Sequence, residues 1–302
     1  MKQMVFALSQ QETEKIVDHF GQAFYENMIR KLERYSAQWQ LHIERFIAYY
    51  SVNCLFICRS ERFGPAVLKI GNPSDEVRTE VNLLKEYHGG RFCRLFDWDT
   101  DNGVILEEYI HPGFRLREEP SLEKRLSVFS DVFKGLHIPS CQSALYPTYQ
   151  DWVNRITAYM SKRDDGPELS KLMMKAKDIC ASLCRAYPRK LLLHGDLHHD
   201  NLVLGENQQY RIIDPKGVIG DPIFDIPRFI LNEFYGVDEI SYDTYRRHVE
   251  TISSYLQTSI GVPIDVIYKC VFVETAMANC WNVEINSKPN LNYVRYSEAM
   301  LH

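Results

Sequence analysis

A chain of 302 residues with 45% hydrophobic and 25% charged residues is composed like a soluble protein that buries a full core. That excludes a disordered chain, a collagen-like fibre and a disulfide-stapled mini-protein, and the length admits one large domain or two modest ones. With 35 basic against 40 acidic residues the formal net charge is −5, so no broad surface for nucleic acid is expected. No apolar run approaches the ~18–20 residues of a membrane-spanning helix. Residues 4–8 are too short for the core of a signal peptide and run into Ser9-Gln10-Gln11-Glu12, so a cytoplasmic protein is the expectation. Eight cysteines (Cys54, Cys58, Cys93, Cys141, Cys180, Cys184, Cys270 and Cys280) contain no C-x-x-C pair. They read as buried, reduced thiols rather than a zinc or disulfide framework.

In chain order, Ser9-x-x-Glu12 is a capping box before a helix carrying Ile16, Val17 and Phe20. A second helix is predicted over about 23–34. Short runs rich in Ile, Val, Phe and Tyr at 42–49, 54–58 and 66–70 predict strands, with a turn at 60–64. Residues 75–87 read as a helix, then 92–98 and 104–109 as a strand pair turning at 99–103. His111-Pro112-Gly113 breaks the pattern and helices dominate afterwards. Leu122, Leu126, Phe129 and Phe133 share one helical face. Thr148 can cap a helix to about Met160, and a polar loop follows at 161–167. Leu172, Ala176, Ile179 and Leu183 line a helix that Pro188 ends. Residues 191–193 form a short apolar strand, and helices are predicted at 242–257 and 263–283. The expectation is an α+β fold: an antiparallel-sheet lobe over 1–110 and a larger helical lobe over 111–302, joined by a hinge at about 107–113.

The segment that carries chemistry is His194-Gly195-Asp196-Leu197-His198-His199-Asp200-Asn201, followed by Ile212-Ile213-Asp214-Pro215-Lys216-Gly217. Residues 201–204 and 210–213 can pair as a hairpin, which puts Asn201 and Asp214 at the same end. An amide oxygen and a carboxylate there make a hard-oxygen site for Mg2+ carrying nucleotide phosphates. Asp196, on the loop entering the hairpin, is placed to orient a substrate hydroxyl and accept its proton. Phosphoryl transfer needs that division of labour.

These residues resemble the catalytic loop and metal-binding segment of the kinase-like superfamily, H-R-D-x-x-x-x-N and D-F-G, with Gly195 at the second position of the first. His-Gly-Asp, Ile-Asp-Pro-Lys-Gly and Gly220-Asp221-Pro222-x-x-Asp225 are most similar to the aminoglycoside phosphotransferase branch, in particular the streptomycin 6-phosphotransferase and hydroxyurea phosphotransferase family. Trp39-Gln40-Leu41, Leu136-His137 and Ala278-Asn279-Cys280-Trp281 extend the likeness over nearly the whole chain. The resemblance implies a bilobal protein-kinase-like fold, ATP and Mg2+ as cofactors, and Asp196 as the catalytic residue with Asn201 and Asp214 on the metal. It makes Lys69 the phosphate-binding lysine and Glu80, eleven residues on, its ion-pair partner; Glu76 competes one turn earlier. Backbone groups of Glu107 and Tyr109 become the adenine-binding hinge. The superfamily's Gly-rich loop is missing, and Ser51 and Asn53 are the candidates to cover the phosphates in its place.

Any single Asp or Asn in a turn reads more simply as a turn residue; the joint spacing with Lys69 and Glu80 upstream favours function. His194 reads as a brace for its loop rather than a base, and His198 and His199 beside Asp200 lack the further ligands of a zinc site. Lys216 is either an exposed lysine or a second cation near the transferred phosphate. Asp225 either ties down the catalytic loop or caps the next helix, with an acceptor contact also open to it. The acidic run Asp221, Asp225, Glu233, Asp238, Glu239 and Asp243 is a cleft for a polycation or a solvated face. The expected protein is a small-molecule kinase with an alcohol acceptor, an aminoglycoside such as streptomycin among them. The alternatives are a kinase for another metabolite, an amino alcohol or sugar, and a catalytically idle nucleotide-binding module. Neither a nucleic-acid nor a membrane partner is expected, and the chain is expected to be a monomer or weak dimer.

Overall fold

The structure, a computed structural model, describes residues 6–47, 52–237 and 239–302. Ser9 caps α1 (Gln10–Phe20), its hydroxyl accepting from the Glu12 amide at 3.3 Å while Glu12 accepts from the Ser9 amide at 2.7 Å. Next, α2 (Gln22–Gln38) outruns its predicted end because Tyr35 is fully buried and donates to Asp99 at 2.6 Å. Five strands follow, interrupted by one helix: β1 (Leu41–Ile47), β2 (Cys54–Ser60), β3 (Gly64–Ile70), α3 (Asp75–Tyr87), β4 (Leu95–Asp99) and β5 (Val104–Glu108). They form an antiparallel sheet in the order β1-β2-β3-β5-β4.

Strand alternation decides what each face carries. Ala66, Leu68 and Ile70 of β3, with Val104 and Leu106 of β5, join the core that contains Ile16, Met28 and Leu32 of the two N-terminal helices. Val67 and Lys69 fall on the other face. There Val67 pairs with Glu107 and Lys69 with Ile105, and Ile105 packs on Val77 and Val81 of α3. Gly71, just after β3, admits no side chain, since a Cβ there would lie 1.9 Å from Asn53 Oδ1.

The helical part contains α4 (Leu122–Phe133), α5 (Tyr149–Met160), α6 (Pro167–Ala186), β6 (Leu191–Leu193), β7 (Leu202–Leu204), β8 (Tyr210–Ile212), β9 (Val218–Gly220), α7 (Ile226–Asn232), α8 (Tyr242–Ile260), α9 (Ile264–Glu284) and α10 (Leu291–Ala299). Thr148 caps α5 through a reciprocal bond with Asp151. Helix α9 is apolar almost all round because α5, α6, α7, α8 and α10 pack about it. Each of its buried Val, Ile, Phe and Met side chains contributes about 1.5–3 kcal/mol. The pairs β6–β9 and β7–β8 are two-stranded. One helix and one strand, α10 and β9, went unpredicted, α10 having 9 residues with polar ones throughout and β9 having 3; α7, with 7 residues, is the helix expected after Asp225 without bounds.

By its own contacts the chain divides into two units, residues 1–113 with 204–211, and residues 114–203 with 212–302. The tip of the β7–β8 hairpin thus counts with the sheet, where the Arg211 guanidinium donates to the Phe92 carbonyl and to Glu108. None of the eight cysteines is in a disulfide: six are buried, Cys184 is half-buried and Cys141 is exposed. Among the described residues no helix is long and apolar enough to cross a membrane.

Candidate active site

In the first unit Lys69 Nζ lies 2.6 Å from Glu80 Oε1 and 3.1 Å from Glu107 Oε1, all three side chains buried. Glu80 faces the sheet because Val77, Val81 and Leu84, its neighbours on the helix stripe, are buried there, whereas Glu76 is exposed. Sequence spacing gave Glu107 only a backbone part. Its side chain instead adds a second carboxylate to one ammonium, because the pleat puts residues 67, 69, 105 and 107 on one face. The Tyr109 amide donates to the Pro65 carbonyl at 3.3 Å. Asn53 is buried against Gly71; Ser51, the other candidate for covering phosphates, lies outside the described residues.

In the second unit the β6–β7 connection is fixed from several sides. Asp225, 1% exposed, accepts from the His194 amide at 2.9 Å and the Gly195 amide at 2.8 Å, and His137 Nε2 stands 2.9 Å from its Oδ2. It therefore ties down the loop, and its side chain makes no cap to α7. Gly195 has φ +80°, and a Cβ there would meet the Trp152 ring at 2.7 Å, so only glycine fits. The Lys216 and Gly217 amides both reach the His194 carbonyl, at 2.8 and 3.2 Å. Replacing Asp225 by Ala strips three hydrogen bonds from a charged acceptor. We expect a loss of about 3–5 kcal/mol, read as a lower urea midpoint.

His194 is 1% exposed, and its Nδ1 accepts from the Asp196 amide at 3.0 Å. The ring proton therefore sits on Nε2, which donates to the Ile213 carbonyl at 3.0 Å. Burial holds the ring below its ordinary pKa of 6.5, against the pull of Asp225 and Asp196. The unfolded chain takes up that proton near pH 6.5 and the folded one does not. Stability from His194 is therefore whole above that pH and is lost as pH falls below it. Urea unfolding from about pH 8 to pH 5 should show a stability that holds above about pH 6.5 and falls below it through this ring, and His194→Asn should flatten that fall.

Asn201 is buried at the end of a short 3-10 turn, and its Nδ2 donates to the Asp196 carbonyl at 2.9 Å, which leaves Oδ1 as its acceptor. The Ile213 amide donates to the Asn201 carbonyl at 3.0 Å, so residue 214 follows directly from that bond. Asp214 has φ +57°, an uncommon conformation for a residue other than glycine and one that clusters at functional sites. Among the described residues no group of three or more His, Cys, Asp or Glu could hold a metal alone. An amide oxygen and a carboxylate do fit a magnesium ion that takes its remaining oxygens from phosphates and water.

Around Asp196 lie Arg228 Nε, 3.4 Å from Oδ1, and His198 Nε2, 3.6 Å from Oδ2. Burial works to raise its pKa, but Arg228, His198 and Lys216 outweigh it and hold the carboxyl far below the usual range. Lys216 is half-buried beside this loop. Arg228 also approaches Glu274 Oε1 at 2.8 Å, Glu274 accepts from the Tyr149 hydroxyl at 2.5 Å, and the Trp281 ring lies 5.4 Å from the guanidinium carbon. Sequence reasoning missed Arg228, Glu274 and Tyr149. The one available signal was charge inside otherwise apolar helices, Arg228 in Ile-Pro-Arg-Phe-Ile and Glu274 in Val-Phe-Val-Glu-Thr-Ala.

The acidic run divides: Asp221, Asp225 and Glu233 are internal, and Glu239 and Asp243 are exposed. Asp221 pairs with Arg189 at 2.9 Å, Asp225 is the loop anchor, and Glu233 takes Arg125 at 2.6 Å and His199 at 2.7 Å. Asp200 is bound by Arg117 at 2.6 Å. Asp238 lies outside the described residues. His199 and Asp200 therefore serve as ties of the loop's far end.

This architecture is the kinase-like phosphotransferase fold. It matches a choline kinase from Streptococcus pneumoniae with a TM-score of 0.63 at 13% identity, over 91% of this chain and 97% of that one. It also matches an aminoglycoside phosphotransferase in ternary complex with ADP and hygromycin B, with a TM-score of 0.59 at 11% identity over 89% and 97%. At that identity the likeness speaks for fold. The family model for aminoglycoside/hydroxyurea antibiotic resistance kinases matches residues 39–284, and the chain belongs to that family. Curated relatives include a hydroxyurea phosphotransferase of Kitasatospora aureofaciens, 27% identical over 71% of this chain, and a streptomycin 6-kinase of Streptomyces griseus, 24% identical over 53%. The chain spans 64% and 53% of the length of those two relatives.

Proposed function

We propose that the chain is a phosphotransferase that moves the γ-phosphoryl group of ATP to a hydroxyl group of a small molecule, with Mg2+. The observation that carries this reading is Asp196, a carboxylate on a loop pinned through Asp225, followed at metal-site spacing by Asn201 and Asp214. In this reading Asp196 orients the acceptor hydroxyl and takes its proton. Asn201 Oδ1 and the Asp214 carboxylate hold the metal, which when bound neutralises charge on the phosphates. Lys69, positioned by Glu80 and Glu107, contacts those phosphates as a point charge, and Lys216 adds a second cation near the transferred group. The segment around Glu107 and Tyr109 supplies the edge for the purine.

The names of the relatives make streptomycin and hydroxyurea the first acceptors to try. Eight cysteines outside any disulfide suit a reducing compartment and hence the cytoplasm. The test is coupled nucleotide turnover with streptomycin, other aminoglycosides, hydroxyurea, choline and simple sugars, with Asp196→Ala as control. Stimulation by one acceptor, lost in the control, is the expected result. Tight Mg-ATP binding with no stimulation by any acceptor would overturn the reading.

A further inference from the structure

We propose that Arg228 is a positioning residue for Asp196, and that Glu274, held by the Tyr149 hydroxyl, acts on the reaction only through Arg228. This rests on the phosphotransferase reading of the same loop. Four side chains from the loop and three helices form one file: Tyr149 of α5, Glu274 of α9, Arg228 of α7 and Asp196. Tyr149 donates to Glu274 Oε2 at 2.5 Å, Glu274 Oε1 meets Arg228 Nε at 2.8 Å, and the same Nε stands 3.4 Å from Asp196 Oδ1. Tyr149 and Glu274 are each 2% exposed, so the inner half of the file has no water to rely on, and the file opens only at its Asp196 end.

Asp196 Oδ1, Arg228 Nε and Glu274 Oε1 are all buried, and none makes a directed hydrogen bond. Their approach is ionic, with one guanidinium shared between two carboxylates. Such sharing fixes where the Asp196 carboxylate points, yet divides the cation's pull so that the reacting carboxylate is not locked into a tight pair. Because Oδ1 is turned inward, Oδ2 is the oxygen an acceptor meets. As the acceptor oxygen bonds to the γ-phosphorus, the bond to the bridging oxygen breaks and its electron pair leaves on the nucleoside diphosphate. The hydroxyl proton passes to Oδ2. A carboxylate turned away from this geometry costs rate without costing nucleotide affinity, since it binds no part of the nucleotide.

The experiment compares Arg228→Gln, Arg228→Lys, Glu274→Gln and the double Arg228→Gln/Glu274→Gln by kcat, by KM for both substrates and by melting temperature. The double variant removes cation and carboxylate together and leaves Asp196 with His198 and Lys216, so it is expected to fold where the Arg228→Gln single variant, which strands the buried Glu274, is strained. We expect Arg228→Gln to lower kcat about 30–100-fold with the nucleotide KM within about twofold, and Arg228→Lys to recover part of the loss. Glu274→Gln lowers kcat less, and adds nothing in the Arg228→Gln background. Wild-type kcat in Arg228→Gln, or losses that multiply in the double variant with a raised acceptor KM, would overturn the proposal. If the wild-type protein turns over no acceptor, the functional reading fails, and a crystal structure of Arg228→Gln judges the positioning alone. A displaced Asp196 carboxylate supports it; one in its original place refutes it.

Discussion

Asp196→Asn lowers turnover about 10²–10⁴-fold and leaves nucleotide affinity within about twofold. The amide has the shape of the carboxylate but cannot take the acceptor proton, and it places an NH2 group where a lone pair is needed. The loop itself is expected to stay in place. It is held by the bonds of Asp225 to the His194 and Gly195 amides and by the His194 ring, none of which uses the Asp196 side chain. Arg228 keeps Glu274 as its counter-ion at 2.8 Å, so no buried charge is stranded. The melting temperature should therefore move by no more than about 3 °C. Rapid-quench turnover and calorimetric titration with the nucleotide check both halves, and a variant keeping a tenth or more of wild-type turnover would remove Asp196 from the mechanism.

Lys69→Met behaves differently, because it strikes binding and stability together. Lys69 is 4% exposed and sits between Glu80 and Glu107, themselves 5% and 3% exposed. Removing the ammonium leaves two buried carboxylates facing each other. Breaking a buried pair in this way costs about 3–5 kcal/mol, and the melting temperature should fall by about 10 °C. Turnover should fall at least about 100-fold through the lost phosphate contact. Lys69→Met/Glu107→Gln separates the two effects, since it removes one stranded charge and should regain stability without regaining turnover. Full recovery of turnover in the double variant would mean that Lys69 serves only to neutralise Glu107.

The sequence was most legible where chemistry forces residues together within a short stretch. Asp196, Asn201 and Asp214 lie on one hairpin and its entry loop, so their spacing is nearly their geometry. Lys69 and Glu80 were legible for a related reason: a strand followed at once by a helix limits which helix positions face the strand. The Arg228 file was not legible, because Tyr149 and Glu274 are 125 residues apart and only the packing of α9 among its neighbours joins them. Composition also misled at the acidic run. An acidic residue reads as surface until its partner is known, and Arg189 and Arg125, the partners of Asp221 and Glu233, come from separate elements. Short elements such as β9 carry too few residues for any period to show.

The hairpin tip at residues 204–211 has a bearing on how the protein is made. It belongs with the sheet unit, whose other residues end at 113, and Arg211 closes on the Phe92 carbonyl and Glu108 from 119 and 103 positions later. A nascent chain paused after residue 113 therefore lacks this closing piece. Synthesis runs at about 5–20 residues per second, so the sheet waits for its last contact for about 5–20 s. Ribosome-bound chains released on either side of residue 211 should differ sharply in resistance to protease, with the sheet unit becoming resistant only in the longer ones.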